Sequence, residues 1–264
     1  MAVLFDMQLR AQRRDRAART GPELFLLERA FADCLERLEL VQQRFDHALL
    51  IGCPDARWRD RVLRIVSSVD VIDPGSLFAE AAYGTQVVED NWPPAMAAYD
   101  LVIAVGTLDT VNDLPRGLVT FRAAMRPGAL LIGAMSGGDT LPRLRSAMLA
   151  ADRIAGAASP HIHPRIEASA LAPLLEKAGF VTPVVDVDRL QVGYRSLSSL
   201  IGDLRRMAAT NILTSRSRQP LTKRAATAAA TDFAEFSNAG RTVEVFEILH
   251  FACWTQPADK SPQG

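Results

Sequence analysis

The stretch that decides the fold is His47-Ala-Leu-Leu-Ile-Gly-Cys-Pro-Asp-Ala-Arg57. The apolar run 48–51 is typical of a strand buried on both faces of a sheet. Gly52-Cys53-Pro54 interrupts it, and residues 57–66 can form a helix. A strand, a turn and a helix in this order form the unit at which a doubly wound sheet binds a nucleotide-like ligand. Such a turn normally contains several glycines, so that the backbone can approach the ligand, but this one contains a single glycine.

Short apolar runs separated by helical stretches follow this first unit. Strands that alternate with helices predict βαβ units and a parallel, doubly wound sheet in an α/β fold. The chain contains five such alternating units, then a sixth, and a terminal strand that follows a long insertion. This arrangement resembles the seven-stranded, Rossmann-like fold of the class I methyltransferases that use S-adenosyl-L-methionine (SAM). The strands are expected at residues 48–52, 69–73, 86–88, 101–105, 129–134, 180–187 and 243–254.

The remaining segments are arranged around that sheet. Two amphipathic helices, at 5–18 and 23–43, precede the first strand and are expected to pack across the sheet or cover its site. The predicted organisation is an N-terminal helical segment at 1–44, a methyltransferase-like domain at 45–254 with insertions at 137–165 and 194–238, and a polar tail at 255–264 that we expect to be disordered.

Composition limits the classes of function. The 264 residues are enough to bury a sizeable core, and no apolar run approaches the roughly 20 residues that span a bilayer. The 30 basic and 30 acidic residues cancel, so the surface as a whole does not attract nucleic acid or membranes. Three widely spaced cysteines predict neither a disulfide framework nor a metal site and favour a reducing compartment. Because no apolar secretion signal follows Met1, we expect a cytoplasmic location.

Acids after two neighbouring strands are candidates for holding a nucleoside. Asp73 ends the second strand, where a carboxylate accepts hydrogen bonds from ribose hydroxyls. Since Asp-Pro-Gly is also a turn signal, a solvated turn acid is an equally good interpretation. Asp90 and Asn91 follow the third strand, at the usual position of an adenine-recognising side chain, although an ordinary loop is favoured for either residue alone. The candidate cofactor-binding residues are Gly52, Asp73, Asp90 and Asn91.

The turn itself contains residues that oppose ligand binding. Pro54 fixes φ and removes an N–H donor, and Ala56 adds a Cβ where backbone should pass close to a ligand. Each loss costs on the order of 1–3 kcal/mol of binding free energy. Together they lower the affinity for SAM by orders of magnitude, unless the loop binds it by another backbone path.

No strong general base can be identified; the weak catalytic candidates are Asp109, His161 and Tyr194. His161 and His163 lie two residues apart without a cysteine or an acid cluster, which favours a hydrogen-bonded turn over a metal site, and no metal is predicted. Asp139-Thr140 is expected to cap the helix that follows it. The first helix is strongly basic, and such a run is usually a solvated face. It can alternatively contact an acidic partner, but without interleaved aromatic residues it does not indicate nucleic-acid binding.

Several further motifs are spread over most of the chain. They are Phe5-Asp6 with Leu9-Arg10 and 13–18, Leu108–Pro115, Arg126–Gly128, Gly137–Leu141, Ser159–His161 with Pro164, Ala178–Phe180, Asp186–Asp188, Gln191-Val192 with Tyr194, and Asp203-Leu204 with Met207 and Asn211. Together they resemble those of one family, the methyltransferase-like assembly factors of respiratory complex I and their alphaproteobacterial relatives. The mitochondrial members are described as arginine hydroxylases, and a more distant resemblance is to the malonyl-carrier-protein methyltransferases of biotin synthesis.

The resemblance implies SAM binding at Gly52, Asp73 and Asp90, and action on a protein in complex I assembly. The first hypothesis is therefore a SAM-dependent methyltransferase-like protein with a protein substrate. The alternative is a non-catalytic scaffold or assembly chaperone that has lost SAM binding and holds a partner through its basic helix and its insertions. Hydroxylation needs an oxidant or a metal, and the sequence contains no convincing set of two histidines and one carboxylate for iron.

Departures from the family pattern cluster at the cofactor turn and beside it. The family's first-strand Asp is Leu50 here, and two of its motif glycines are Pro54 and Ala56. The His-Trp pair that precedes Val-Asn-Asp-Leu-Pro in the family is Asp109-Thr110, and the Phe that follows Ser-Pro-His-x-x-Pro is Arg165. Because the scaffold motifs are intact, this distribution is consistent with loss of catalysis and retention of a binding role.

Overall fold

The computed structural model describes residues 3–258. Its helices are α1 (Met7–Thr20), α2 (Phe25–Glu39), α3 (Arg57–Val62), α4 (Ser76–Ala81), α5 (Leu114–Ala124), α6 (Pro142–Ala155), α7 (Ala168–Lys177), α8 (Leu197–Arg206) and α9 (Lys223–Glu235). Its strands are β1 (His47–Ile51), β2 (Ser68–Asp73), β3 (Thr85–Gln86), β4 (Tyr99–Val105), β5 (Met125–Ser136), β6 (Phe180–Tyr194), β7 (Ser237–Asn238) and β8 (Arg241–Thr255).

The strands form one sheet in the order β3-β2-β1-β4-β5-β8-β6, with β7 paired to β8. Neighbours from β3 to β5 are parallel, whereas β8 is antiparallel to both β5 and β6. The chain runs outward from β1 to β3 and then returns to β4 on the other side of β1. This reversal creates a crevice at the carboxyl ends of β1 and β4. The doubly wound α/β fold with a seven-stranded sheet is confirmed, and the two-residue β7 is an addition to it.

Both faces of the sheet are covered, because successive side chains of a strand point to opposite faces. Leu49 and Ile51 of β1 belong to the core under α5 and α7. Leu50 points the other way, into the core that contains Phe31 of α2 and Trp58 of α3, whose rings stack 4.1 Å apart. Leu50, which stands where the family resemblance implies an acid, is therefore a fully buried core residue.

Several strand boundaries differ from the sequence prediction. β5 begins at Met125, so 126–128 belongs to the strand rather than to a turn, and β3 is reduced to two residues. β6 and β8 are longer than predicted because they pair with each other from Phe180 and Thr255 to Tyr194 and Thr242. Thr255 is therefore a buried strand residue and not part of a disordered tail, whose last residues, 259–264, lie outside the described part of the chain.

The helix cap predicted at Asp139-Thr140 is wrong. The free N–H groups of Arg143 and Leu144, in the first turn of α6, donate instead to the Glu244 carboxylate of β8 at 3.1 and 2.8 Å. A carboxylate at a helix N-terminus satisfies these N–H groups as a cap would. The Thr140 hydroxyl donates to a β8 backbone oxygen. The sequence could not reveal this cap because its acceptor lies about a hundred residues away.

The first helix covers the crevice, one of the two placements that we expected. The N–H groups of Leu4 and Phe5 donate to the Asn112 side chain at 2.9 and 2.8 Å, and Asp6 caps α1 by accepting from Leu9. These contacts anchor the start of α1 beside the end of β4. Among the described residues, no helix combines the length and the apolar character that crossing a membrane requires.

Candidate functional site

Asp73 lies at the end of β2 and is completely buried. The N–H of Cys53 donates to its Oδ2 at 2.9 Å, and the N–H of Gly75 donates to its Oδ1 at 2.7 Å. Arg14 of α1 adds a bidentate pair, from Nε to Oδ1 at 2.7 Å and from Nη2 to Oδ2 at 2.5 Å. The residue predicted to hold ribose is in the predicted place, but both of its oxygens are already bonded.

A second arginine of the same helix makes a parallel contact. Arg10 donates from Nη1 and Nη2 to the two carboxylate oxygens of Glu89 at 2.6 and 2.9 Å, and from Nη2 to the Thr107 backbone oxygen at 2.6 Å. Glu89 has no exposed surface. Burial alone would lower the pKa of Arg10, but the Glu89 carboxylate outweighs it, so the pKa of Arg10 is raised.

The predicted adenine-side residues lie beside this pair and take no part in it. Asp90 accepts the N–H of Asp113 at 2.9 Å, and Asn91 is exposed. Glu89, which was not among the predicted site residues, is the acid of this segment that points inward. A short 3₁₀ turn over Glu89–Asn91 decides which of these adjacent side chains faces the crevice.

The turn after β1 lies tightly against the end of β4. Gly52 has φ +80°, and a Cβ added to it would lie 2.6 Å from both the Thr107 Cγ2 and the Val105 backbone oxygen. Only glycine fits that conformation and that spacing. Cys53 and Pro54 are buried. The loop that would surround a ligand therefore packs against protein.

The residues at this position do not fit a SAM nucleoside in the observed conformation. A ribose diol must donate to a carboxylate with free acceptor sites, and Arg14 holds both oxygens of Asp73. A Cβ on Gly75 would lie 2.7 Å from the Cβ of Arg14, so α1 sits directly on the turn after β2. The Arg14 guanidinium also lies 5.1 Å from the centre of the Phe78 ring. The nucleoside position is closed by the protein's own first helix.

A cavity of about 100 Å³ remains next to the closed position, at the carboxyl ends of β4 and β5. Most of the side chains that line it are apolar, and they come from α2, from the ends of β4 and β5, from β8, and from α8 with the segment after it. Asp73 does not line it. Arg165 Nη1 donates to Asp109 Oδ2 at 2.7 Å in that wall, with side-chain exposures of 5% and 9%. Burial lowers the pKa of Arg165, and the Asp109 charge opposes this effect.

His163 lines the same cavity as a neutral group. Its Nε2 accepts the N–H of Ile212 at 3.0 Å, which requires that nitrogen to be unprotonated. Burial, and then the charge of Arg165, lower its pKa to about 4. The histidine is a structural acceptor, as the interpretation of 161–163 as a hydrogen-bonded turn predicts.

The three catalytic candidates are not brought together. Asp109 lines the cavity, but its carboxylate is paired. His161 lines a neighbouring cavity and contacts Asp152 Oδ1 at 2.8 Å. Tyr194 belongs to the core between α6, α8 and α9, where burial and the Asp203 charge raise its pKa. Among residues 3–258, no three His, Cys, Asp or Glu side chains are grouped so as to hold a metal ion.

Sequence reasoning missed the arginines that fill the site. Arg10 and Arg14 are four residues apart, so their side chains share one face of α1, and this spacing was the available signal. The signal is weak because an amphipathic helix presents several faces, and its partners Asp73 and Glu89 lie 59 and 79 residues further along the chain.

Comparisons with known proteins place these observations in context. A family model described as a methyltransferase domain matches residues 24–183 and so begins after α1. Mouse mitochondrial arginine-hydroxylase NDUFAF5 is 31% identical over 265 residues, which cover 95% of this chain and 77% of the mouse protein. The malonyl-[acyl-carrier protein] O-methyltransferase of Xylella fastidiosa is 36% identical over 171 residues, 63% of this chain and 55% of that protein.

Solved structures are similar in fold. YcgJ of Bacillus subtilis has a TM-score of 0.58 at 8% identity and covers 86% of this chain and 99% of its own. The N-methyltransferase NodS of Bradyrhizobium japonicum, in complex with S-adenosyl-L-homocysteine, has a TM-score of 0.51 at 15% identity and covers 93% and 98%. At these identities the likeness concerns the fold alone.

Proposed function

This chain belongs to the methyltransferase-domain family, in the branch of the arginine-hydroxylase NDUFAF5 proteins, and from that premise we propose that it acts on a protein during assembly of respiratory complex I. The observation that carries the proposal is similarity along 95% of the chain to a protein named for arginine hydroxylation, a modification of protein side chains. The proposed location is the cytoplasm.

The family's cofactor is SAM, and its use here requires α1 to leave the crevice. In the closed conformation Arg14 holds Asp73 and Arg10 holds Glu89. A nucleoside must compete with two buried, bidentate ion pairs, which are the strong class of hydrogen-bonded contact. The first candidate is therefore SAM-dependent action on the protein substrate from an open conformation.

A second candidate is favoured by the same contacts. If α1 stays in place, the chain works by binding a partner without the cofactor, as a scaffold or assembly chaperone. The buried residues Leu50 and Pro54 at the turn, together with the Arg14–Asp73 pair, support this alternative.

One pair of experiments tests both candidates. The gene is deleted in the host cell and restored on a plasmid, and assembled complex I is measured on native gels. In parallel, the purified chain is titrated with SAM and S-adenosylhomocysteine by calorimetry. Restored assembly with micromolar binding supports the first candidate, and restored assembly without binding at millimolar ligand supports the second. Normal complex I in the deletion strain overturns the role in assembly.

A further inference from the structure

α1 carries two sets of arginines with different surroundings. Arg10 and Arg14 are buried and face the crevice, where each has a carboxylate partner. Arg13 and Arg16 are half-buried on the neighbouring face, where the Arg13 guanidinium donates to the Thr210 hydroxyl in the segment after α8. The second set has no role in closing the site.

Arg13 and Arg16 belong to a group of four cations that we call the arginine cluster: Arg13, Arg16, Arg205 and Arg216. α1 packs against α8, which carries Arg205. The N–H of Thr214 donates to the Leu4 backbone oxygen just before α1, which brings the segment of Arg216 to the same end of the helix. Arg216 contacts Asp6 at 3.5 Å. Between residues 3 and 258, no carboxylate forms an ion pair with any of the other three. Burial lowers the pKa of Arg13, and the positive charges of its three neighbours lower it further. Four guanidinium groups therefore share one region with one nearby acid.

Two donor atoms in the cluster are sealed from solvent without a hydrogen-bond partner in the described structure, Arg13 Nε and Arg16 Nη2. An unsatisfied buried donor and like-charge repulsion both cost free energy. An anion bound where the cluster reaches solvent, at Arg205, would offset the like-charge repulsion. Guanidinium groups are suited to this because their planar fork matches the two oxygens of a carboxylate.

We propose that the arginine cluster is the docking site for a carboxylate-rich segment of the protein partner. The inference rests on the proposed action on a protein and names the chemistry of the surface that this partner presents. Three arginines of the cluster are half-buried and Arg205 is exposed. The chain's net charge is zero, so a broad polyanion gains little from the rest of the surface. A segment of Asp and Glu side chains needs only the local cluster.

Binding is tested with fluorescent octaglutamate on the full-length protein, with octaglutamine as the uncharged probe. Wild type is expected to bind octaglutamate at least about tenfold more tightly than octaglutamine, and added salt should weaken the binding. In Arg13→Glu/Arg16→Glu/Arg205→Glu the preference should disappear. Arg16→Glu/Arg205→Glu keeps the Arg13–Thr210 bond and should lose most of the preference for octaglutamate. This double variant keeps the proposal testable if the triple variant does not fold.

The matched control is Arg64→Glu/Arg153→Glu/Arg224→Glu, which makes the same charge change at exposed arginines elsewhere. Its affinity for octaglutamate should stay within about twofold of wild type. If the control loses as much affinity for octaglutamate as the cluster variants, the binding depends on the overall charge of the protein and the proposal is overturned. Inorganic phosphate or vesicles of anionic phospholipid that bind the cluster as tightly as octaglutamate would also overturn it, in favour of a phosphate-bearing partner.

The result is separable from that of the proposed function. If the plasmid-borne wild type does not affect complex I while octaglutamate still binds at the cluster, the docking site stands and the assembly role fails. If assembly is restored equally by wild type and by the double variant, the assembly role stands and the docking site fails.

Discussion

Asp109 and Arg165 form a buried ion pair, with Nη1 and Oδ2 2.7 Å apart. They are also two positions at which the family resemblance implies other residues, a His at 109 and a Phe at 165. Two independent losses would not be expected to produce complementary charges in contact. On that resemblance, the contact is what a joint exchange would produce, with an ion pair in place of a histidine and an aromatic ring in the cavity wall.

Restoring the family residue at one position should be more harmful than restoring both. Arg165→Phe leaves Asp109 buried without a partner, and we expect the free energy of unfolding to fall by about 3–5 kcal/mol. Asp109→His/Arg165→Phe removes both charges and should recover at least about 1.5 kcal/mol of that loss. Urea denaturation of the four proteins in the cycle measures the coupling.

An exposed pair provides the control for that cycle. Arg29 contacts Asp188 at 2.9 Å with side-chain exposures of 58% and 31%, so Arg29→Ala should cost less than about 1 kcal/mol. If the effects of Asp109→His and Arg165→Phe on the free energy of unfolding add to within about 0.5 kcal/mol, the joint exchange is contradicted.

His163 should make the protein sensitive to acid. Its pKa is about 4 in the folded protein, against an ordinary value of 6.5, so the unfolded chain takes up a proton first as the pH falls. Stability is then fully present above pH 6.5 and is lost as the pH falls from about 6.5 to about 4. The full contribution is roughly 3 kcal/mol, since one pKa unit is worth about 1.4 kcal/mol. His163→Gln, which can still accept the Ile212 N–H, should flatten unfolding free energy against pH in that window. An unchanged slope would refute the assignment.

The cysteines should be unreactive in the native protein. Burial raises the pKa of Cys34 and of Cys53 from 9.0 to about 12, and it also raises the pKa of Cys253. Because the thiolate is the reactive form, its fraction at pH 8 is about a thousandfold smaller than in the unfolded chain. Ellman's reagent should therefore detect three thiols only in guanidinium. Rapid native labelling of Cys53, checked with Cys53→Ser, would instead show that the cofactor turn opens spontaneously.

The fold was predictable because its signals are local. The apolar run of β1, the turn after it and the alternation of strands and helices each lie within a short window. Asp73 was found in the same way, since strand ends in this fold meet at one edge of the sheet. The identity of its partner was not predictable. A long-range ion pair depends on how α1 docks, and no residue next to Arg14 encodes that placement.

The same distinction explains the other differences. Glu89 and Asp90 are adjacent acids, and only the 3₁₀ turn decides which one faces inward. Asp109 was a candidate base by type, but its neighbour Arg165 lies 56 residues away. Chemical type and local position can nominate a site residue, whereas its charge partner decides whether it is free to react.

Restoring the glycine turn alone should not restore SAM binding. Pro54→Gly/Ala56→Gly introduces the glycines that the family resemblance implies, but Arg14 still holds both oxygens of Asp73. We expect the affinity for S-adenosylhomocysteine, measured by calorimetry, to stay within about twofold of wild type. Adding Arg14→Ala frees the acceptors of Asp73 and should raise the affinity at least about tenfold over that of the glycine pair.

The matched control adds Arg16→Ala, which removes an arginine of the same helix that does not touch Asp73. A higher affinity for S-adenosylhomocysteine in the control, or in the glycine pair alone, would show that the Arg14–Asp73 contact does not close the site. If no variant binds more tightly than wild type, the result would favour partner binding without a cofactor.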